Sequence, residues 1–149
     1  MFIPINQPLD LASTLLGGQA FRWRGNGVWH DGVVFDNLVR MRQRPTGIEF
    51  RSTPDDEAYL EPLVRDYLGL GDDLERIYAS LAGDGRLKQA IARHRGLRIL
   101  RQDPWECLVS FICSSASNIP RITGNIESLC AAFGRPLGTS DGGRSAFPT

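Results

Sequence analysis

Few residue types in this chain of 149 can form or break bonds, and their spacing limits what they could do. An unprotonated lysine amine is a nucleophile suited to covalent catalysis. The only lysine, Lys88, lies in a basic helical pattern and reads as a surface residue. The three cysteines, Cys107, Cys113 and Cys130, show no C-x-x-C spacing and sit in apolar helical patterns. That setting predicts buried free thiols in a reducing compartment, with neither a disulfide framework nor a zinc site. His30 and His94 are far apart, without metal-ligand spacing, and read as structural or surface residues. What remains is the chemistry of recognition. A polar corner at residues 114–118, followed by Arg121, can present backbone donors and a guanidinium from a rigid support. The pair Gly17-Gly18, taken by itself, reads as a turn before a strand.

The elements that would carry the corner lie in residues 101–134. Asp103 can cap a helix, Pro104 fits its first position, and Glu106 completes a capping-box pattern. Residues 105–113 are apolar nearly all round, which predicts a helix buried on several sides. A second, amphipathic helix is expected over 119–133, stopped by Gly134. Upstream, a short apolar run at 9–16 ends at Gly17-Gly18, and residues 20–24 alternate as a half-buried strand would. Gly25-Asn26-Gly27 is a turn signal, and strands are expected at 28–35, 38–42 and 48–51. Together these read as an antiparallel meander of three to five short strands with one polar face.

At residues 53–56 the period changes from two to about 3.6. Leu60, Leu63, Val64, Tyr67 and Leu68 form a helical stripe, with Pro62 suggesting that the helix proper begins near there. Asp72-Asp73 opens another helix, with Leu74, Ile77, Tyr78 and Leu81 on one face. Asp84 caps a third over 86–94, ended by Gly96. A sheet followed by helices is an α+β arrangement.

Length allows one ordinary domain, or one domain and part of another. Net charge is zero and no run is long enough to cross a membrane. Residues 1–7 lack the basic and apolar stretches of a secretory signal. Charge is uneven, because residues 54–75 are acidic while 86–101 hold six Arg or Lys and no acid. A basic stripe of that kind is compatible with phosphate contact, but reads more simply as a solvated face. Residues 135–149 are rich in Gly and Ser, with little to bury except Phe147, and read as a loop or an approach to another element. The apolar helix at 105–113 needs more cover than the preceding elements supply, so the chain is expected to be a fragment.

Two stretches resemble the 8-oxoguanine DNA glycosylase family. One is Gly17-Gly18-Gln19-Ala20-Phe21-Arg22-Trp23. The other joins LRQDPWECLVSFICSS to NIPRITGNIE, at residues 100–115 and 118–127. The resemblance implies a small antiparallel sheet domain with packed helices, TATA-binding-protein-like, over residues 1–102. The beginning of an all-α helix-hairpin-helix glycosylase domain would follow over 103–149. Such enzymes flip the damaged nucleotide out of the duplex. By resemblance, the Gly18 carbonyl accepts from the N7–H that only the oxidised base carries, and Phe21 belongs to the same damaged-base site. Arg121 matches the arginine that reads the cytosine left unpaired across the duplex, with Asn118 and Ser117 beside it. A guanidinium suits the acceptors on that exposed edge. Ala116 departs from the family, standing where eukaryotic-type members carry the first of three Asn, and it cannot make that residue's hydrogen bonds.

The family's catalytic lysine and assisting aspartate have no counterpart in this sequence, so no catalytic residue is assigned and the chain alone is expected to be inactive. The complete protein would be a DNA N-glycosylase/AP lyase of base-excision repair, using neither a metal nor an organic cofactor. Its partner would be double-stranded DNA containing oxidised guanine. A monomer with no membrane role is expected, intracellular and DNA-associated, in cytoplasm and nucleoid or in a nucleus. A non-catalytic damaged-DNA-binding module is the alternative.

Overall fold

The computed structural model describes residues 1–138 and 143–149. Its centre is a five-stranded antiparallel sheet of β1 (Phe2–Pro4), β2 (Arg24–Asn26), β3 (Trp29–Val34), β4 (Asn37–Arg44) and β5 (Gly47–Thr53), in the order β1-β5-β4-β3-β2. The long strands form the expected meander, with turns set by backbone chemistry. Val34 pairs with Asn37, so Phe35 and Asp36 form the β3–β4 turn, both with positive φ (51° and 58°). Positive φ at both central residues is the hairpin geometry that follows the twist of a sheet. Buried Asn37 pins it, donating to the Phe35 carbonyl (2.8 Å) and accepting from the Asp55 amide (2.8 Å).

One expectation about the sheet needs correction, and one strand carries no sequence signal. Residues 20–23 are not a strand; β2 starts at Arg24, and Asn26 pairs with Trp29 across a two-residue turn at Gly27 and Val28. Alternation fails there because Arg22 and Trp23 are both buried. β1 carries too few residues for a periodic signal. It is held at the sheet edge by its pairing with β5 and by reciprocal backbone bonds between Met1 and Phe50 (2.9 Å each).

One face of the sheet is apolar, with Ile3, Val39, Met41, Ile48 and Phe50 essentially inaccessible. Two helices cover it: α1 (Leu11–Leu16) through Leu11 and Leu15, and α2 (Glu57–Tyr67) through Leu60, Val64 and Tyr67. Each such side chain contributes about 1.5–3 kcal/mol by burial. Pro62 does not start α2 but lies inside it. Asp56 caps the helix by accepting from the Tyr59 amide (2.8 Å), and exposed Ala58, whose carbonyl loses its donor to Pro62, faces solvent.

Helices α3 (Leu74–Leu81) and α4 (Gly85–Arg93) form a peripheral pair, capped by Asp73 and Asp84 as expected. Their apolar stripe is shallower than its period suggests, since only Leu74 is buried and α4 buries nothing. Half of the basic run is engaged within the protein. Arg98 is buried on the Gly69 carbonyl (2.6 Å), Arg95 pairs with Glu75, and Arg101 with Asp66 and Asp72.

The corner joins α5 (Pro104–Ser114) to α6 (Ile119–Phe133). Asp103 caps α5 through the amides of Trp105 and Glu106 (2.9 Å each), but Glu106 does not close a capping box; its carboxylate turns toward Arg22 (3.9 Å). The expectation that α5 is buried is overturned. Trp105, Leu108, Phe111 and Ile112 are exposed, Phe111 by 75%, and only Ser110 is buried. Among the described residues α6, Phe21 and Phe147 cover one side of α5 alone. Cys107 is accordingly exposed rather than buried, Cys113 is half-buried, and Cys130 lies in the core of α6.

The described residues of the C-terminal stretch pack on the rest of the chain as a free loop would not. Pro136 bridges Ser145, Leu137 and Ala146 pack on Val33, and Phe147 enters the α5–α6 cluster. Residues 139–142 of the expected loop lie outside the described residues. Gly134 ends α6 in an extended conformation (φ −85°, ψ 156°), not a left-handed one. A Cβ there would strike the Ala146 carbonyl oxygen, so glycine is required by the close approach of the returning chain.

Candidate nucleic-acid interface

The Gly17-Gly18 turn follows α1 directly, and Gly18 takes φ +83°, where side chains other than glycine's are disfavoured. A Cβ on Gly18 would lie 3.6 Å from Ile119 Cδ1, in the first turn of α6. The glycine turn and the polar corner, a hundred residues apart in sequence, therefore adjoin in space. Gln19 fixes the approach. Its side chain donates to the Arg98 carbonyl (2.8 Å) and accepts from the Leu100 amide (3.0 Å), while its own carbonyl accepts from Gln102 (2.7 Å).

Phe21 is half-buried and packs in the cluster of Ile122, Ile126, Cys130 and Val109. It ties the glycine turn to α6 instead of standing free. Asn118 caps α6, its Oδ1 accepting from the Arg121 amide (3.1 Å). Arg121 is exposed one turn into the helix, and among the described residues no carboxylate pairs with it. Ser117 is half-buried, and its Oγ is inaccessible and without a hydrogen-bond partner. Ala116 has φ +51°, a left-handed conformation in a residue that gains nothing from it. The structure thus brings Gly18, Ser117, Asn118 and Arg121 to the N-terminal end of α6, with Phe21 packed in the cluster that runs along the same helix. Lys88 sits apart on α4, which packs on α3.

A buried polar cluster behind this end escaped the sequence. Arg22 is only 4% exposed, donating to the Ser145 carbonyl and lying 3.9 Å from Glu106. Trp23 Nε1 donates to the Tyr67 hydroxyl (2.8 Å), and burial pushes that phenol's pKa up. Burial likewise raises the Glu106 carboxyl to about 7; Arg22 opposes the shift, and nearby Asp103 and Asp36 add to it. Arg22 and Glu106 line a cleft of about 750 Å³ with Phe35, Trp105 and Phe147. A strand-like alternation put Arg22 outward, so no local signal could have found this cluster.

Among the described residues no group of His, Cys, Asp or Glu could hold a metal ion. No described helix is long and apolar enough to cross a membrane. The arrangement offers donors, a cation and a glycine backbone, which is equipment for recognition.

Residues 2–108 match the family model for the 8-oxoguanine DNA glycosylase N-terminal domain. The chain is 37% identical over 141 residues to the N-glycosylase/DNA lyase OGG1 of Arabidopsis thaliana, covering 90% of this chain and 38% of that relative. The solved structure of MBOgg1 with a low-affinity DNA ligand superposes with a TM-score of 0.89 at 34% identity, over 99% of this chain and 51% of that one. The Clostridium acetobutylicum 8-oxoguanine glycosylase/lyase, solved with double-stranded DNA holding cytosine opposite 8-oxoG, gives 0.85 at 27%, over 100% and 54%. This chain therefore spans about two fifths of that curated relative's length and about half of those solved chains. With the family model matching well over half of its residues, the chain belongs to the 8-oxoguanine DNA glycosylase family, by its N-terminal domain.

Proposed function

We propose that the chain is the N-terminal part of a bifunctional 8-oxoguanine DNA glycosylase/AP lyase of base-excision repair. It supplies recognition and not the nucleophile. The observation that carries this reading is the proximity of Gly18 to Ile119, close enough that a Cβ on the glycine would meet it, which sets a glycine backbone beside the helix turn bearing Arg121. On this reading the Gly18 carbonyl meets the N7–H of a flipped oxidised guanine. Arg121, with Asn118 shaping the turn, meets the cytosine left opposite. The relatives' names and their DNA complexes support the substrate class. Residues 1–102 would form the sheet domain, and 103–149 the start of the helical one. The protein would act as a monomer on DNA inside the cell.

The test is binding to a duplex with 8-oxoguanine opposite cytosine, against the same duplex with guanine, combined with borohydride trapping. Preference for the lesion, lost in Arg121→Ala, and no trapped adduct are expected. A borohydride-stable adduct with this chain would show that it holds a nucleophile after all. Equal binding of both duplexes would remove the recognition role. A non-catalytic damaged-DNA-binding module shares the binding result; it differs only if sequence encoded beyond Thr149 brings no lysine and aspartate.

A further inference from the structure

The face of the sheet turned away from the apolar core is strongly cationic, although the chain as a whole is neutral. Along β4, Arg40, Arg42 and Arg44 occupy alternate positions and so share one face. Arg51 of β5 stands directly across from Arg40, and Arg24 of β2 flanks Asp31 on the other side. Like charges facing each other across strands are destabilising. Arg40 is partly compensated by Asp31 (3.1 Å), Arg42 and Arg44 share Glu49, and Arg24 reaches Glu127. Among the described residues Arg51 has no carboxylate partner, and Arg144 has none either.

Arg144 comes from the C-terminal stretch and donates to the Arg22 carbonyl. It lies with Arg24, Arg40 and Arg51 around an open groove of about 620 Å³, where Asp31 is the only acid among the described residues. Burial, together with Arg22 and Arg24, disfavours its charge, and the more weakly acting Glu127 and Asp31 do not reverse this. Four guanidinium groups converge there, two of them without an ion-pair partner among the described residues, and an anion would relieve both the desolvation and the repulsion.

We propose that this groove binds backbone phosphates of DNA, as a second contact surface separate from the Gly18–Arg121 end. The proposal rests on the DNA-binding reading given above. Phosphodiester is favoured over an acidic protein segment for two reasons. From Arg40 in the groove, Arg42 and Arg44 continue along β4 outside it at roughly 6.7 Å intervals, a row suited to an extended polyanion with one charge per unit. Arginine also dominates the groove, and its planar fork matches phosphate oxygens. The surface reads charge and not sequence.

The experiment measures binding of the chain to a lesion-free duplex and to one holding 8-oxoguanine opposite cytosine, across a salt series. Arg51→Gln and Arg40→Gln/Arg51→Gln are compared with the wild type. Arg51 is exposed and faces a like charge, so its replacement leaves the melting temperature unchanged or higher. The expected result is weaker binding of both duplexes by one common factor, with the slope of log K against log salt falling by about 0.9 per arginine that meets a phosphate. The ratio between the two duplexes stays at the wild-type value, whereas Arg121→Ala alters that ratio. Unchanged slopes in both variants would overturn the proposal while leaving lesion recognition standing. A reduced slope without any lesion preference in the wild type would sustain the groove and remove the recognition role. Tighter binding of a polyglutamate of matched charge than of the duplex would also overturn it, assigning the groove to an acidic protein.

Discussion

Gln19 grips one stretch of backbone from both sides, donating to the carbonyl of Arg98 and accepting from the amide of Leu100. This clamp joins the glycine turn to the extended segment that leads into α5. Leu100 is buried against the sheet core, so the two bonds are made where water competes poorly. The glutamine of the Gly-Gln-x-Phe-Arg-Trp stretch is thereby explained as a positioning residue, since its amide is occupied within the protein.

Replacing Gln19 by Ala leaves a half-buried amide and carbonyl without partners, at about 1–3 kcal/mol in all. Gln19→Glu keeps the acceptor for Leu100 but loses the donor for Arg98 and adds a charge. Urea unfolding should therefore show both variants destabilised. Glutamate as stable as the wild type would mean that the Arg98 bond contributes nothing.

Gly32 lies on β3 directly beneath Trp23, where a Cβ would sit 2.5 Å from the indole ring. Gly32→Ala must push Trp23 out of its place and strain its bond to Tyr67. A loss of about 1–3 kcal/mol is expected from such overpacking, with a shift in tryptophan fluorescence. Gly71→Ala, where a Cβ meets nothing, is the control and should be close to neutral.

Much of the helical plan was legible because caps are local. Asp73, Asp84 and Asp103 each accept from amides two or three residues on, and Asn118 does the same for α6. The strands of the meander were legible from alternation. Arg22 was not, because its burial depends on a chain segment more than a hundred residues away, whose Ser145 carbonyl accepts its bond. The site residues were nameable only through motif resemblance. No periodicity could foretell that Gly18 lies beside Ile119 or that Phe21 joins the α6 cluster. The exposure of α5 was misjudged for a related reason, since an apolar circumference states what a helix can bury and not what lies next to it.

Ala116 holds a left-handed conformation at the corner between α5 and α6. For an alanine that costs roughly 1–2 kcal/mol, whereas asparagine adopts it more readily. Ala116→Asn should raise stability by some tenths of a kcal/mol up to about 1. Ala116→Gly should gain less, because glycine adds freedom to the unfolded chain. Thermal unfolding of the three proteins tests the order Asn above Gly above Ala. A destabilised asparagine variant would show that the corner is held by packing at Ala116 and not merely tolerated.

Stability should also depend on pH through Glu106. Its folded pKa is raised from 4.5 to about 7, first by burial, and the attraction of Arg22 at 3.9 Å does not reverse the shift. A carboxyl raised on folding binds its proton more tightly in the native state. Its contribution is complete below pH 4.5 and declines as pH rises, reaching its minimum above about 7. Across that window the loss is on the order of 3 kcal/mol. Glu106→Gln, a permanently neutral isostere, should flatten this part of the profile and be the more stable protein at pH 8. Denaturant midpoints taken from pH 5 to pH 8 give both slopes directly. Parallel profiles for the two proteins would mean that the Arg22–Glu106 pair stays ionised throughout, with attraction outweighing burial.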